Sequence, residues 1–237
     1  VRSSLRTFAV AQRELLKKFS VRQTLGQLVS EDVAQEMMSS DGLHGERRIA
    51  TIAFMDLRNF TRYSSNRDPA QVVKTLNLLL EAIIIIVHKH GGVVNKFLGD
   101  GMLVMFGVPN QLDEHADAAL GAALEAVERI AVLAEELKSP SLQLGVGIHS
   151  GEVIAGTIGS SDRMEYTVIG DTVNLASRIE GLNRDLKSTV LLSQDSHQRL
   201  ERVLEHRPNE TDRGSFKVKG RSEPVTIWSY GRPLEGF

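Results

Sequence analysis

The segment Ile49-Ala50-Thr51-Ile52-Ala53-Phe54-Met55 carries apolar side chains on both of its alternating faces and ends at Asp56. A strand of that kind is buried on both sides, so the rest of the chain has to cover it. Two long segments of helical period are available. In the first, Asp68-Pro69 pairs an N-cap with proline at the first helical position. Val72, Val73, Leu76, Leu79, Leu80, Ile83 and Val87 then keep helical spacing until Gly91-Gly92. The second runs from about Leu112 to Lys138 and stops at Ser139-Pro140. Between them, Val93–Leu98 and Met102–Phe106 flank Gly99-Asp100, a hairpin signal. Strands are expected near Gln143–His149 and Val153–Ile158, a short helix over Thr172–Leu182, and strands at Phe216–Lys219 and Val225–Tyr230. This order predicts an α+β sandwich whose mostly antiparallel sheet is covered on one face by helices.

Composition narrows the function classes. The chain has 237 residues, 41% of them hydrophobic and 24% charged, which is ordinary globular material. The absence of cysteine excludes a disulfide framework, a thiolate zinc site and a cysteine nucleophile. A formal charge of −2 gives no footprint for nucleic acid. The longest aliphatic run, Ala82 to Val87, is too short to span a bilayer, and no secretory signal is visible. Residues 1–22 carry Arg2, Arg6, Arg13, Lys17, Lys18 and Arg22 against Glu14, with Leu5, Phe8, Gln12, Leu15 and Phe19 at spacings of three and four. This predicts a helical linker over 1–45 ahead of a globular domain over 46–237. Leu28–Met38 is weighed as a coupling helix. A chain that opens on Val1 is expected to be part of a longer protein.

Three motifs carry chemistry. Asp56 ends the buried strand and is followed by a polar turn, Arg58-Asn59-Phe60-Thr61, whose N–H groups suit a phosphate at a helix start. Asp100 sits at the hairpin tip. Carboxylates at the ends of neighbouring strands can converge on Mg2+, which takes oxygen ligands. In Asn95-Lys96-Phe97-Leu98-Gly99-Asp100, a lysine in an apolar strand either snorkels outward or meets a polar ligand. In the stretch from Tyr166 to Glu180, Asn174 and Arg178 are four apart and share a helix face, and arginine offers a fork of donors to phosphoryl oxygens.

Together, Phe54–Thr61, the Lys96–Gly107 hairpin, Gly147-Ile148-His149-Ser150-Gly151 and Tyr166–Glu180 resemble the catalytic domain of class III nucleotide cyclases, bacterial adenylate cyclases above all, over about Glu46 to Tyr230. The resemblance implies a ferredoxin-like sandwich. It implies that Asp56 and Asp100, with the Leu57 carbonyl, hold two Mg2+ or Mn2+ ions. Lys96 and Thr167, with Val168 beside them, would read the base. Asn174 would orient the ribose and Arg178 would stabilise the α-phosphoryl transition state. Asn59, Phe60, Thr61 and Lys219 would contact phosphates, with Arg163 as a second phosphate ligand. It further implies ATP as substrate, cyclic AMP and pyrophosphate as products, a homodimer with composite sites, and a cytoplasmic domain in signal transduction. An upstream regulatory or membrane domain is expected in the full-length protein.

The base preference has a physical basis. Lys96 can donate to adenine N1 and the Thr167 oxygen can accept from the exocyclic amine. Guanine reverses both, and unpaired buried polar groups cost about 1–3 kcal/mol each, so ATP is expected over GTP by roughly tenfold or more. Because a hydroxyl can donate as well as accept, threonine is a weaker discriminator than an aspartate there. The rivals are a catalytically silent nucleotide-binding domain and a guanylate or relaxed purine cyclase. Asp113-Glu114-His115-Ala116-Asp117 looks metal-like but reads as a solvated first helical turn. His149 is expected to be structural, and Trp228 and Phe216 to lie in the core.

Overall fold

A computed structural model describes residues 45–65, 67–160, 163–201 and 209–233. The linker predicted over 1–45 and the segment Leu28–Met38 lie outside the described residues, except that Gly45 opens the first strand. Strand β1 (Gly45–Arg58) leads through a short helix α1 (Phe60–Ser64) into α2 (Pro69–Lys89). Strands β2 (Val93–Leu98) and β3 (Gly101–Phe106) follow, then α3 (His115–Glu136) and β4 (Gln143–Ser160). The order β2-β3-β1-β4 of these strands is the split βαβ arrangement of a ferredoxin-like sandwich. Strand β5 (Arg163–Ile169), α4 (Asp171–Leu186), β6 (Ser188–Ser193), α5 (Gln194–His197), β7 (Thr211–Phe216) and β8 (Val225–Pro233) complete an eight-stranded sheet. Strand β5 pairs with the outer half of β4, and the pairing of β4 with β6 is parallel.

Alternation along β1 explains the layers. Ala53, Met55 and Leu57 point to the side where Leu79, Ile83 and Val87 of α2 and Leu120 and Ile130 of α3 are buried. Ala50 and Ile52 point to the other side, among Tyr166, Val168 and Ala176. Helix α4 covers this second face, with Leu175 and Ile179 packed against Leu191 and Ile227. The expectation of helices on one face only is therefore corrected: α4 is amphipathic and short, and it closes the side that the two long helices leave open. The two strands expected over 143–158 are one, because Gly151 stays in the ladder opposite Ala50. The strand expected at Phe216–Lys219 lies earlier, over β7, which leaves Lys219 beyond the ladder.

Helix α2 begins as predicted, with the Asp68 carboxylate accepting from the Gln71 N–H at 3.2 Å. As a whole it is long and apolar enough to cross a membrane by length and composition, unlike its aliphatic run alone. Its buried stripe of Leu79, Leu80, Ile83, Ile86 and Val87 against the sheet is that of a core helix.

A row of polar side chains threads the core. His115 Nδ1 meets Thr51 Oγ1 at 2.6 Å, which meets Ser150 Oγ at 2.6 Å, which reaches Ser196 Oγ at 2.9 Å. Ser196 meets Ser193 at 3.3 Å, and Ser193 meets His149 Nδ1 at 2.7 Å. The solvated first turn expected at residues 113–117 is thus corrected for two members. His115 is tied to Thr51, and Asp117 is buried and accepts from the Glu201 N–H at 2.9 Å. His149 is structural, as expected. Trp228 is only half-buried, stacked on His197 with ring centroids 3.8 Å apart, and Phe216 packs at the margin of the α4 cluster.

Burial pushes His149 down to about 4, with Arg221 and Arg199 adding and Asp195 and Asp171 opposing. The folded protein holds the ring neutral, so this contribution is complete above the ordinary value of 6.5 and is lost as pH falls toward 4. It amounts to roughly 3 kcal/mol. Thermal melts of wild type and His149→Gln across pH 4–7 should show a steeper acid loss in wild type. Parallel pH profiles would refute this.

Candidate active site

Asp56 lies near the end of β1, and its neighbours across the ladder are both glycines, Gly101 on β3 and Gly145 on β4. A Cβ on Gly101 would lie 2.9 Å from Asp56 Oδ1 and 2.8 Å from the Met55 carbonyl oxygen. The glycine is therefore what gives the carboxylate its place. At the hairpin, Gly99 takes φ 72°, a left-handed turn that carries Asp100 back beside Asp56. Burial raises the Asp56 carboxyl above the usual range, repulsion from Asp100 raises it further, and Arg58 opposes both. Two adjacent carboxylates, one of them desolvated, form an oxygen donor set that suits a hard divalent cation. Among the described residues no group of three or more His, Asp or Glu side chains could hold a metal, so the protein's side chains would supply this pair alone. Leu57 turns its side chain into the core, and its backbone lies opposite Leu144 in the β1–β4 ladder.

Beneath Asp56 lies an ion pair that the sequence did not disclose. Arg58 reaches Asp56 Oδ2 at 3.5 Å, donates to the Glu180 carbonyl at 3.0 Å and pairs closely with the Glu180 carboxylate. Burial pushes Glu180 up to about 7 against the attraction of Arg58, with Asp56 adding to the rise. Helix α4 can sit this close because β4 presents glycines. A Cβ on Gly145 would lie 2.7 Å from Arg58 Nε, and one on Gly147 would lie 2.1 Å from the Glu180 backbone nitrogen. The alternating glycines in an otherwise apolar strand were the available signal.

A second group forms on β2 and β5. Glu165 and Thr167 are two apart on β5 and share a face. Lys96 Nζ meets Glu165 Oε1 at 2.5 Å, and Thr167 Oγ1 donates to Asn95 Oδ1 at 3.1 Å. The two residues expected to read the base are therefore presented together. Val168, beside them, is buried. A third group stands on α4. Asn174 is exposed and Arg178 half-buried, and a Cβ on Gly220 would lie 3.1 Å from Arg178 Nη2. That contact places the Arg178 guanidinium over the turn that carries Lys219. Arg221, from the same turn, pairs with Asp171 at the start of α4 and was not anticipated.

The phosphate candidates are altered in one respect. Asn59 adopts φ 63° and its amide donates to the Ser141 carbonyl at 2.7 Å. Its side chain is thereby engaged in holding a loop, while Phe60 is buried and Thr61 exposed. Arg163 opens β5, its backbone opposite Ser160.

Comparison with known proteins assigns the chain to a family. The family model described as the adenylate and guanylate cyclase catalytic domain matches residues 45–230. The chain belongs to that family. An uncharacterized protein of Mycobacterium tuberculosis (strain CDC 1551) is 35% identical over 231 residues, 97% of this chain and 38% of its own length. The chain thus spans about two-fifths of the curated relatives it matches. The crystal structure of the adenylyl cyclase CyaB from P. aeruginosa covers 82% of this chain and 100% of its own, at 30% identity and TM-score 0.71. That of the guanylyl cyclase Cya2 covers 79% of this chain and 94% of its own, at 32% identity and TM-score 0.70. The cyclase fold and enzyme class follow, and relatives of both purine specificities lie at similar distance.

The packing of α4 on β4 yields a paired test. Gly147→Ala should destabilise the cyclase domain by about 1–3 kcal/mol or more, since backbone has to move. Gly181→Ala, on the same helix with nothing within 4 Å of its Cβ, should stabilise it by roughly 0.5–1 kcal/mol. Equal melting temperatures for the two variants would contradict the close approach.

Proposed function

We propose that this cyclase domain is an adenylate cyclase. It converts ATP to 3′,5′-cyclic AMP and pyrophosphate at composite sites of a homodimer. The observation that carries the reading is the placement of Asp100, at the hairpin tip, beside Asp56 near the end of β1, with Lys96 of the same hairpin tied to β5 two residues from Thr167.

In the reaction a bond forms between the ribose 3′-oxygen and the α-phosphorus. The bond to the bridging oxygen of the leaving pyrophosphate breaks, and the hydroxyl proton is released. Asp56 and Asp100, with the Leu57 carbonyl, would hold Mg2+ or Mn2+. When bound, these ions would lower the pKa of the attacking hydroxyl and clamp the triphosphate. The protein's own residues do the positioning. Lys96 donates to adenine N1 and Thr167 accepts from the exocyclic amine. Asn174 holds the ribose. Arg178, which lies against the turn at Gly220, and Lys219, one residue earlier in that turn, oppose the negative charge that grows on the phosphoryl oxygens. The N–H groups of Phe60 and Thr61, and Arg163, add phosphate contacts.

The dimer reading rests on surface chemistry. Phe97 and Leu98 on the hairpin, Ile154 and Ile158 on β4, and Met164 and Ile169 on β5 are large apolar side chains left exposed. They flank the Lys96 and Thr167 group, and a second copy covering them would bring its own carboxylates to that base site. The relatives extend well beyond the matched segment, and we propose that the full-length protein adds an upstream regulatory or membrane domain to a cytoplasmic catalytic output in signalling.

Purified protein with Mn2+ should form cyclic AMP from ATP faster than cyclic GMP from GTP. Asp56→Ala or Asp100→Ala should abolish turnover, and Arg178→Ala should lower kcat by roughly a hundredfold. Specific activity should fall on dilution. Full activity in Asp56→Ala, or faster turnover of GTP, would defeat the proposal.

A further inference from the structure

Thr167 poses a problem for any purine selection. Its hydroxyl has one hydrogen and two lone pairs, and a freely rotating hydroxyl can accept from the adenine amine or donate to guanine O6. The structure removes that freedom through Asn95.

The register of β2 against β3 shifts between Val94 and Lys96, so Asn95 sits at a bulge. Bulges re-aim side chains, and the Asn95 amide reaches β5. There it makes two contacts, to the Tyr166 carbonyl oxygen at 2.7 Å and to Thr167 Oγ1 at 3.1 Å. The first contact decides the orientation of the amide. A backbone carbonyl can only accept, so the atom facing Tyr166 has to be the NH2 group. Oδ1 then faces Thr167. An amide oxygen can only accept, so the Thr167 hydroxyl has to donate to it. Its single hydrogen is used there, and what remains for a ligand is lone-pair density.

We propose that Asn95 is a positioning residue for base selection: it fixes the Thr167 hydroxyl as an acceptor toward the purine. The site would then prefer an exocyclic amine at position 6, as in adenine, over a carbonyl oxygen, as in guanine. Lys96, held by Glu165 from the same face of β5, supplies the complementary donor. A threonine oriented in this way does the work of a carboxylate without adding a charge. The inference rests on the adenylate cyclase reading and deepens it.

The test is the ratio of kcat/KM for ATP to that for GTP, measured with Mn2+ on the full chain. Asn95→Ala frees the hydroxyl to rotate, and the ratio should fall by roughly tenfold, mainly through faster use of GTP. In Asn95→Ala/Thr167→Asp the acceptor no longer depends on Asn95, and the ratio should return to the wild-type value. A purely structural role for Asn95 would lower turnover of both nucleotides alike, and Thr167→Asp would not repair it. Thermal melts identify a variant that fails to fold. Asn95→Ser, too short to span to Thr167, then replaces Asn95→Ala with the same expectation. An unchanged ratio in a folded Asn95 variant overturns the inference. A wild-type protein that makes no cyclic AMP, or that prefers GTP, overturns instead the reading on which it rests.

Discussion

The approach of α4 to β4 is the constraint on which the site depends. Backbone meets backbone there, with no room for a side chain at Gly147 and only enough at Gly145 for the Arg58 guanidinium. Because α4 sits so low, Glu180 reaches Arg58, and Arg58 in turn reaches Asp56. The same helix then holds Asn174 and Arg178 at a fixed height above the sheet. One steric condition in β4 therefore aligns groups that come from β1, α4 and the turn around Gly220.

The electrostatics follow from that packing. Asp56 is desolvated by burial, feels Asp100 at the tip of the neighbouring hairpin and is only partly offset by Arg58, whose attraction is shared with Glu180. An arginine divided between two acids cannot neutralise either fully. A carboxylate pair in that state has unmet demand for positive charge, which a divalent ion would meet. The group around Lys96 and Thr167 is built in the opposite way. Every partner there is assigned, with Lys96 to Glu165, Asn95 to Tyr166 and Thr167 to Asn95. Firm assignment is what discrimination between similar ligands requires.

Much of this was legible in the chain itself. The two-faced apolar strand, the Asp68-Pro69 helix start and the Gly99 turn are local signals, and each determines local backbone with little help from distant parts. The position of α4 was not legible. A short amphipathic helix can pack on either face of a sheet, and the choice was made by glycines in β4 some thirty residues earlier in sequence. For the same reason the Arg58–Glu180 pair escaped notice although both residues lie within quoted motifs, since ion pairing across 122 positions leaves no trace in spacing. His115 and Asp117 misled in the other direction. Acids and a histidine at a helix start are usually solvated, and here tertiary contacts to Thr51 and Glu201 overrode that tendency.

The polar row from His115 to His149 bears on how this chain can vary over time. Each hydroxyl in it meets two side chains, so replacing Thr51, Ser150, Ser193 or Ser196 alone with an apolar residue takes a hydrogen bond from the neighbour on either side, while exchanging His115, Thr51, Ser150 and Ser196 together for well-packed hydrocarbon, with Ser193 kept to cap α5 and to meet His149, would strand none. Single steps are thus penalised where a concerted change would be tolerated. These positions form an epistatic block that sequence drift can cross only through less stable ancestors.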